Sequence, residues 1–218
     1  MPPGRSVPPP EPDRDAEERI LDAAHTVFVR QGTAGARMQE IAREAGVNHA
    51  MLHYYFRSKE RLAETVFRRA AAEFFPALLA VLAADAPLDT KVERVVALEL
   101  EMLARRPYLP GYLIAELTHH PDRAEQLIAM ATGGTAAQLR ERVLRVLDAQ
   151  IAERVRAGTM RPMGAEQFLV NLIALCVFPF AARPMVRAVL GLDDAGFDAF
   201  IAERRAALPA FILAGLRP

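Results

Sequence analysis

Met38-Gln-Glu-Ile-Ala-Arg-Glu-Ala-Gly-Val-Asn-His-Ala-Met-Leu-His-Tyr-Tyr-Phe-Arg-Ser-Lys59 is the stretch from which the fold of this chain is read. Met38, Ile41, Ala42 and Ala45 recur at the spacing of one helix face, which predicts a short helix over about 38–45. Gly46 stops it, because glycine accepts the left-handed backbone that ends helices. Asn48 is a good N-cap for a further helix over about 49–56, and Ser58 caps a long one after it. Glu60 sits near the positive N-terminal end of that long helix. Two short helices joined through one glycine must cross closely. Ala42 is the small residue at that crossing, and Val47 and Leu52 are apolar anchors just past the turn.

This is the pattern of a helix-turn-helix, whose second helix enters the DNA major groove with its N-terminal residues nearest the bases. The outward residues are His49, Ala50, Met51, His53 and Tyr54, a mixture of hydrogen-bonding and apolar groups. The tyrosine hydroxyls and Lys59 are suited to phosphates. The alternative is a plain helical corner inside a core. Its outer face would carry Glu, Lys and Ala, whereas this one carries aromatics and histidines.

Upstream, Ile20, Ala24, Val27 and Phe28 mark one face of a helix from Asp15 to Arg30, ended by Gln31-Gly32. Residues 1–13 hold six prolines and read as a disordered or polyproline arm. Beyond Ala83, prolines and glycines separate longer helices near 88–105, 108–119, 122–131, 135–157, 164–182 and 195–215. No internal repeat and no sustained two-residue alternation is present. The expected fold is all-α. An N-terminal three-helix DNA-binding domain (14–60) follows the arm (1–13) and precedes a larger helical ligand-binding and dimerisation bundle (61–218).

With 218 residues, 52% hydrophobic and 25% charged, the chain is too apolar for global disorder and too poor in cysteine for a disulfide scaffold. The first residues lack the apolar core of a secretion signal, so a cytoplasmic location is expected. The longest uncharged stretch, Gln167 to Ala182, falls short of the ~20 apolar residues of a membrane span and reads as a buried helix. Lys+Arg and Asp+Glu both number 27, and a zero net charge taken alone argues against nucleic acid. The local balance argues otherwise. Residues 30–69 hold eight cationic against four anionic side chains, a charge of +4 that the rest of the chain offsets. Such a footprint predicts DNA binding that weakens steeply with salt.

Residues about 15–62 resemble the N-terminal domain of the TetR/AcrR family of bacterial transcriptional regulators. The resemblance lies in Glu18-Arg-Ile-Leu-Asp-Ala-Ala24, in Ile41-Ala-Arg-Glu-Ala-Gly-Val47 and in Leu52-His-Tyr-Tyr-Phe-Arg-Ser-Lys-Glu60. It implies a homodimer of all-α subunits on a near-palindromic double-stranded operator, with a small-molecule ligand in the C-terminal bundle and no cofactor. By the same resemblance His49, Ala50 and Met51 face bases, and Arg37 and Gln39 lie at the groove's edge. His53, Tyr55 and Lys59 match phosphate-contact positions. Many members have Tyr where this chain has His53. Its phosphate contact is then pH-sensitive, or the ring is a neutral histidine packed beside Tyr54.

In the helix near 88–105, Glu99 interrupts the apolar stripe of Val92, Val95, Val96, Met102 and Leu103. A lone buried carboxylate is costly, so Glu99 is either a pocket acid or half of an ion pair with a residue such as Arg105. Glu116 invites the same two readings. With Leu103, Tyr108, Tyr112, Asn171 and Phe178 these two glutamates form the candidate ligand pocket. Glu116-Leu-Thr-His119 has the spacing of a di-iron helix motif but lacks the second copy such a site needs, so no metal is expected. Cys176 lies among apolar residues and reads as core. Pro179 has no N–H for the Leu175 carbonyl, so its helix should kink or end there. The helices near 164–182 and 195–215 are the candidate dimer interface. The function expected is a ligand-responsive transcriptional repressor, not an enzyme; the alternative is a helical-bundle enzyme or metalloprotein with the N-terminal unit as an appendage.

Overall fold

The computed structural model describes the backbone of residues 14–218 apart from 120, 122–123, 126–127 and 130–132, and their side chains apart from 14, 71, 73, 74, 116 and 119. The described residues form helices and no strand. They divide into two compact units, one ending at Val66 and the other beginning at Phe67.

In the first unit, α1 (Arg14–Gly35) buries Ile20, Ala24, Val27 and Phe28, the face its periodicity marks. Its regular winding breaks at Gly32 (φ 69°, ψ 169°), and one more turn runs on to Gly35. Next come α2 (Met38–Glu44) and α3 (His49–Phe56). Helix α2 packs on α1, and the contact is edged by Arg30 with Glu44 (2.7 Å) and Gln31 with Glu40 (2.7 Å). Helix α4 (Lys59–Ala83) opens at Ser58, whose Oγ accepts the Arg61 N–H at 3.3 Å. The boundary between the units falls within α4.

The second unit is built on α5 (Leu88–Arg105), which buries Val92, Val95, Val96, Leu100 and Leu103 along one stripe. Around it lie α6 (Leu109–His119), α7 (Ala136–Arg156), α8 (Ala165–Ala181), α9 (Arg183–Leu190) and α10 (Asp194–Gly215). The buried apolar cluster draws on α4, α5, α7, α8 and α10. Several helix ends are capped from a distance. Lys91, fully buried, donates its ammonium to the Leu82 carbonyl at 2.8 Å, placing a cation at the C-terminal end of α4. Gly164 offers α8 no side-chain cap, and Asp148 of α7 accepts the Ala165 N–H at 3.3 Å instead.

Three sequence expectations are revised or fall outside the described residues. Residues 183–190, for which the sequence pattern predicts no helix, form α9. Pro184 looked like a boundary, but a proline in the first turn lacks only an N–H that would be unpaired there anyway. Helix α9 turns 75° from α8 and closes on Gly191 in the left-handed conformation (φ 66°). Helix α8 also runs through Pro179 to Ala181 rather than ending there. The Leu175 carbonyl that Pro179 cannot serve accepts two hydrogen bonds from Arg204 of α10, from Nε at 3.2 Å and Nη2 at 2.8 Å. The helix expected near 122–131 lies largely outside the described residues.

Candidate nucleic-acid interface and ligand cavity

The turn between α2 and α3 is set by hydrogen bonds that only a left-handed residue permits. Gly46 adopts φ 65°; its N–H reaches the Arg43 carbonyl (3.2 Å), and the Val47 N–H reaches that of Ala42 (3.0 Å). These two bonds are the Schellman closure of a helix C-terminus. A Cβ on Gly46 would meet nothing within 4 Å, so glycine is needed there for its backbone freedom, not for space. Asn48 then opens α3, its Oδ1 accepting the Met51 N–H at 2.6 Å.

Helix α3 buries Leu52 and Phe56 and turns the rest of its surface outward. His49, Ala50, Met51, His53 and Tyr54 are exposed, and so are Arg37 and Gln39 at the start of α2. Val47, expected as an anchor, is half-buried, while Leu52 is fully enclosed. Tyr55 is half-buried, its ring against Tyr54 (centroids 5.5 Å apart) and Phe56 (6.3 Å). Lys59 is half-buried as well, and one of its three N–H donors is committed to the Ala34 carbonyl at 3.0 Å. Two donors are left for a phosphate.

His53 has a structural task that its sequence position did not reveal. Arg57 adopts φ 54°, a backbone conformation that side chains other than glycine seldom take. Its N–H donates to the His53 carbonyl and its own carbonyl lies 3.0 Å from His53 Nδ1. A carbonyl only accepts, so the ring proton resides on Nδ1 and Nε2 is left for a partner. The ring packs edge-on against His49 at 4.4 Å. Nearby, Glu60 is held below the ordinary carboxylate range by hydrogen bonds from its own N–H and from Ser58, which keeps it charged at the N-terminus of α4.

The second unit contains a cavity of about 160 Å3. Phe67, Ala70, Phe75 and Leu78 of α4, Glu99, Met102 and Leu103 of α5, Leu109, Pro110 and Leu113 of α6, and Ile173 and Val177 of α8 line it. Of the residues assigned to a pocket from sequence, Glu99 and Leu103 are among these. Tyr108 is buried without lining the cavity, and burial pushes its hydroxyl pKa up. Tyr112 is not among the lining residues, and its ring lies 5.5 Å from that of Phe67. Asn171 and Phe178 are exposed and do not line it. They sit seven residues apart, two helical turns, on a face of α8 other than the one carrying Phe168, Leu172 and Cys176. The side chains of Glu116 and His119 lie outside the described residues. Helix phase alone did not separate the face of α8 that meets α5 from the outer one, because both are apolar.

Glu99 is 2% exposed, and its Oε2 has no hydrogen-bond partner among the described residues. Arg105 pairs with Glu101 (2.6 Å), so the ion pair offered for Glu99 from sequence does not form. The thiol of fully buried Cys176 bonds the carboxyl group instead. Burial pushes the Glu99 pKa up to about 8, against the lesser opposing effect of that thiol bond.

The family model for "Bacterial regulatory proteins, tetR family" matches residues 20–66. The HTH-type transcriptional regulator RutR of Escherichia coli (strain K12) is 28% identical over 205 residues, 93% of this chain and 91% of the relative. BetI of Rhizobium meliloti (strain 1021), also named an HTH-type transcriptional regulator, is 32% identical over 174 residues, 80% of this chain and 72% of its own. The crystal structure of FadR from Bacillus subtilis in complex with stearoyl-CoA matches 92% of this chain and 100% of its own, with TM-score 0.54 and 17% identity. These relatives are named as regulators rather than enzymes, and the similarity reaches well past the helix-turn-helix. Glycine-closed turn, outward recognition helix and full-length likeness agree: the chain belongs to the TetR family of helix-turn-helix transcriptional regulators.

Proposed function

We propose that this regulator binds a near-palindromic double-stranded operator as a homodimer, represses transcription there, and is released by a small molecule held in the cavity of its second unit. The observation that carries the reading is the outer face of α3. Helix α3 is held by Leu52 and Phe56 and keeps five varied side chains, His49 to Tyr54, in solvent. A face of this kind reads base edges, whereas Arg37, Tyr55 and Lys59 suit the flanking backbone. A concave, mostly apolar cavity is what a small ligand requires. Dimerisation through α8, α9 and α10 is supported by the large apolar residues these helices leave in solvent, Val170, Phe178, Val189 and Phe211 among them.

Release follows if ligand binds one conformation more tightly than the conformation that holds DNA, in which case DNA weakens ligand binding by the same factor. Helix α4 is the element through which this coupling would run. Its first turns carry buried Leu62, Ala63 and Val66, and its next turns carry Phe67 and Ala70 of the cavity wall. Selection of binding sites from random double-stranded DNA tests the reading. The expected product is a sequence with two symmetric half-sites. Recovery of no preferred sequence overturns it.

A further inference from the structure

Among the described residues that line the cavity, Glu99 is the one polar side chain, and it restricts what can fill the space. Its volume of about 160 Å3 is close to the ~150 Å3 of an apolar cavity that holds a benzene ring. Among the described residues, no Lys, Arg or His lines it. A carboxylate or phosphate on the ligand would therefore lack a counter-charge and would face the Glu99 carboxyl. Oε2 of Glu99 is buried and has no partner among the described residues, while the Cys176 thiol already bonds the same carboxyl group. Arg204, which acts on Cys176 from α10, is committed to the Leu175 carbonyl.

We propose that the cavity takes an uncharged, largely apolar molecule about the size of one substituted ring, bearing a single hydrogen-bond-accepting oxygen or nitrogen that the Glu99 carboxyl anchors. This rests on the ligand-responsive reading above and names the class of ligand. The chemistry follows from the protonation state. With its pKa near 8, Glu99 holds its proton at neutral pH and is an O–H donor with no acceptor. A ligand carbonyl or ether oxygen supplies that acceptor, and the bond gains strength from the low dielectric around it. A pure hydrocarbon fills the same space and leaves the donor unpaired. A cation would require Glu99 to ionise in an apolar wall.

Four ring probes of similar size separate these cases on the full-length protein by calorimetry: ethylbenzene, acetophenone, benzylammonium and benzoate. Acetophenone is expected to bind at least tenfold more tightly than the other three. Glu99→Leu should remove that preference over ethylbenzene, and Glu99→Gln, whose amide still donates, should keep most of it. The infrared carbonyl stretch of bound acetophenone should lie at lower frequency in the parent than in the Glu99→Leu protein. It should also lie below that of acetophenone in hydrocarbon solvent, a comparison that needs no variant. Tightest binding of benzylammonium, abolished in Glu99→Gln, overturns the proposal in favour of a cationic ligand. Equal affinity for acetophenone and ethylbenzene overturns it too, as does the absence of binding by any probe. Release of selected DNA is measured separately: Glu99-dependent acetophenone binding that leaves DNA bound refutes the ligand-response reading and leaves the cavity assignment standing.

Discussion

A carboxyl group that is 2% exposed and bonded on one side by a thiol is comfortable only while it holds its proton. The folded-state pKa of Glu99, about 8, lies above the value of an unfolded chain, so between the two the native state binds the extra proton. Its contribution to stability is therefore best at acid pH and is lost as pH rises through about 8. Glu99→Gln removes this dependence. The stability gap between variant and parent should move in the variant's favour by roughly 1–3 kcal/mol from about pH 5 to about pH 8, read from urea melts. A gap that is flat with pH would mean that Glu99 stays ionised in the fold. At the proposed DNA-facing surface, Lys59→Ala should weaken binding to all sequences about equally and reduce the salt slope by about 1, the expected loss of one phosphate contact. Since Lys59 also holds the Ala34 carbonyl, the melting temperature should drop slightly. His49→Ala should instead alter preference at particular bases. An unchanged affinity and slope for Lys59→Ala would remove it from the interface.

Among helices, the informative defect is Pro179 in α8. A proline inside a helix orphans the carbonyl four residues before it, and here that carbonyl, Leu175, is served by the Arg204 guanidinium of α10. Arg204 is thus a bracket between two helices as much as a surface cation. Arg204→Met should cost about 1.5–3 kcal/mol, the range for hydrogen bonds that involve a charged group. Combined with Pro179→Ala, which returns an N–H to the helix, the same substitution should cost measurably less. Additive costs in this double-mutant cycle, measured by chemical denaturation, would show that Pro179 does not create the need for Arg204. The orphan was visible in the sequence; its partner was not, since 29 residues separate Leu175 from Arg204. Helix α9 was missed for a related reason. Pro184 has the same meaning in sequence whether it ends one helix or begins the next.

At the scale of the molecule, charge and apolar surface are both unevenly distributed. Zero net charge conceals a +4 stretch at residues 30–69. Part of its acidic complement is already engaged, with Glu44 on Arg30 and Glu40 on Gln31. In the second unit, Val189 of α9 is 77% exposed and Phe211 of α10 is 68% exposed. Replacing both by Asp places two charges where the proposed dimer would bury them. If the proposed dimer forms, the double variant should sediment as a monomer of about 24.0 kDa where the parent sediments at twice that mass, and should lose most of its operator affinity because half-sites are then bound singly. Identical sedimentation of parent and variant would take these helices out of the interface.

The sequence by itself determined the helical class, the α2–turn–α3 unit and its outward residues. These are local matters: a 3.6-residue period, a glycine at a left-handed turn and an Asn cap act within a few residues and need nothing distant. It also singled out Glu99 as a carboxyl on an apolar stripe. Only the tertiary structure decided what surrounds that carboxyl. Arg105 turned to Glu101, Cys176 arrived from α8, and Ile173 and Val177 took the cavity wall that had been assigned to Asn171 and Phe178. Burial and pairing depend on which helices meet and at what rotation, and on an all-round apolar helix such as α8 the one-dimensional pattern does not distinguish a face toward a cavity from a face toward solvent.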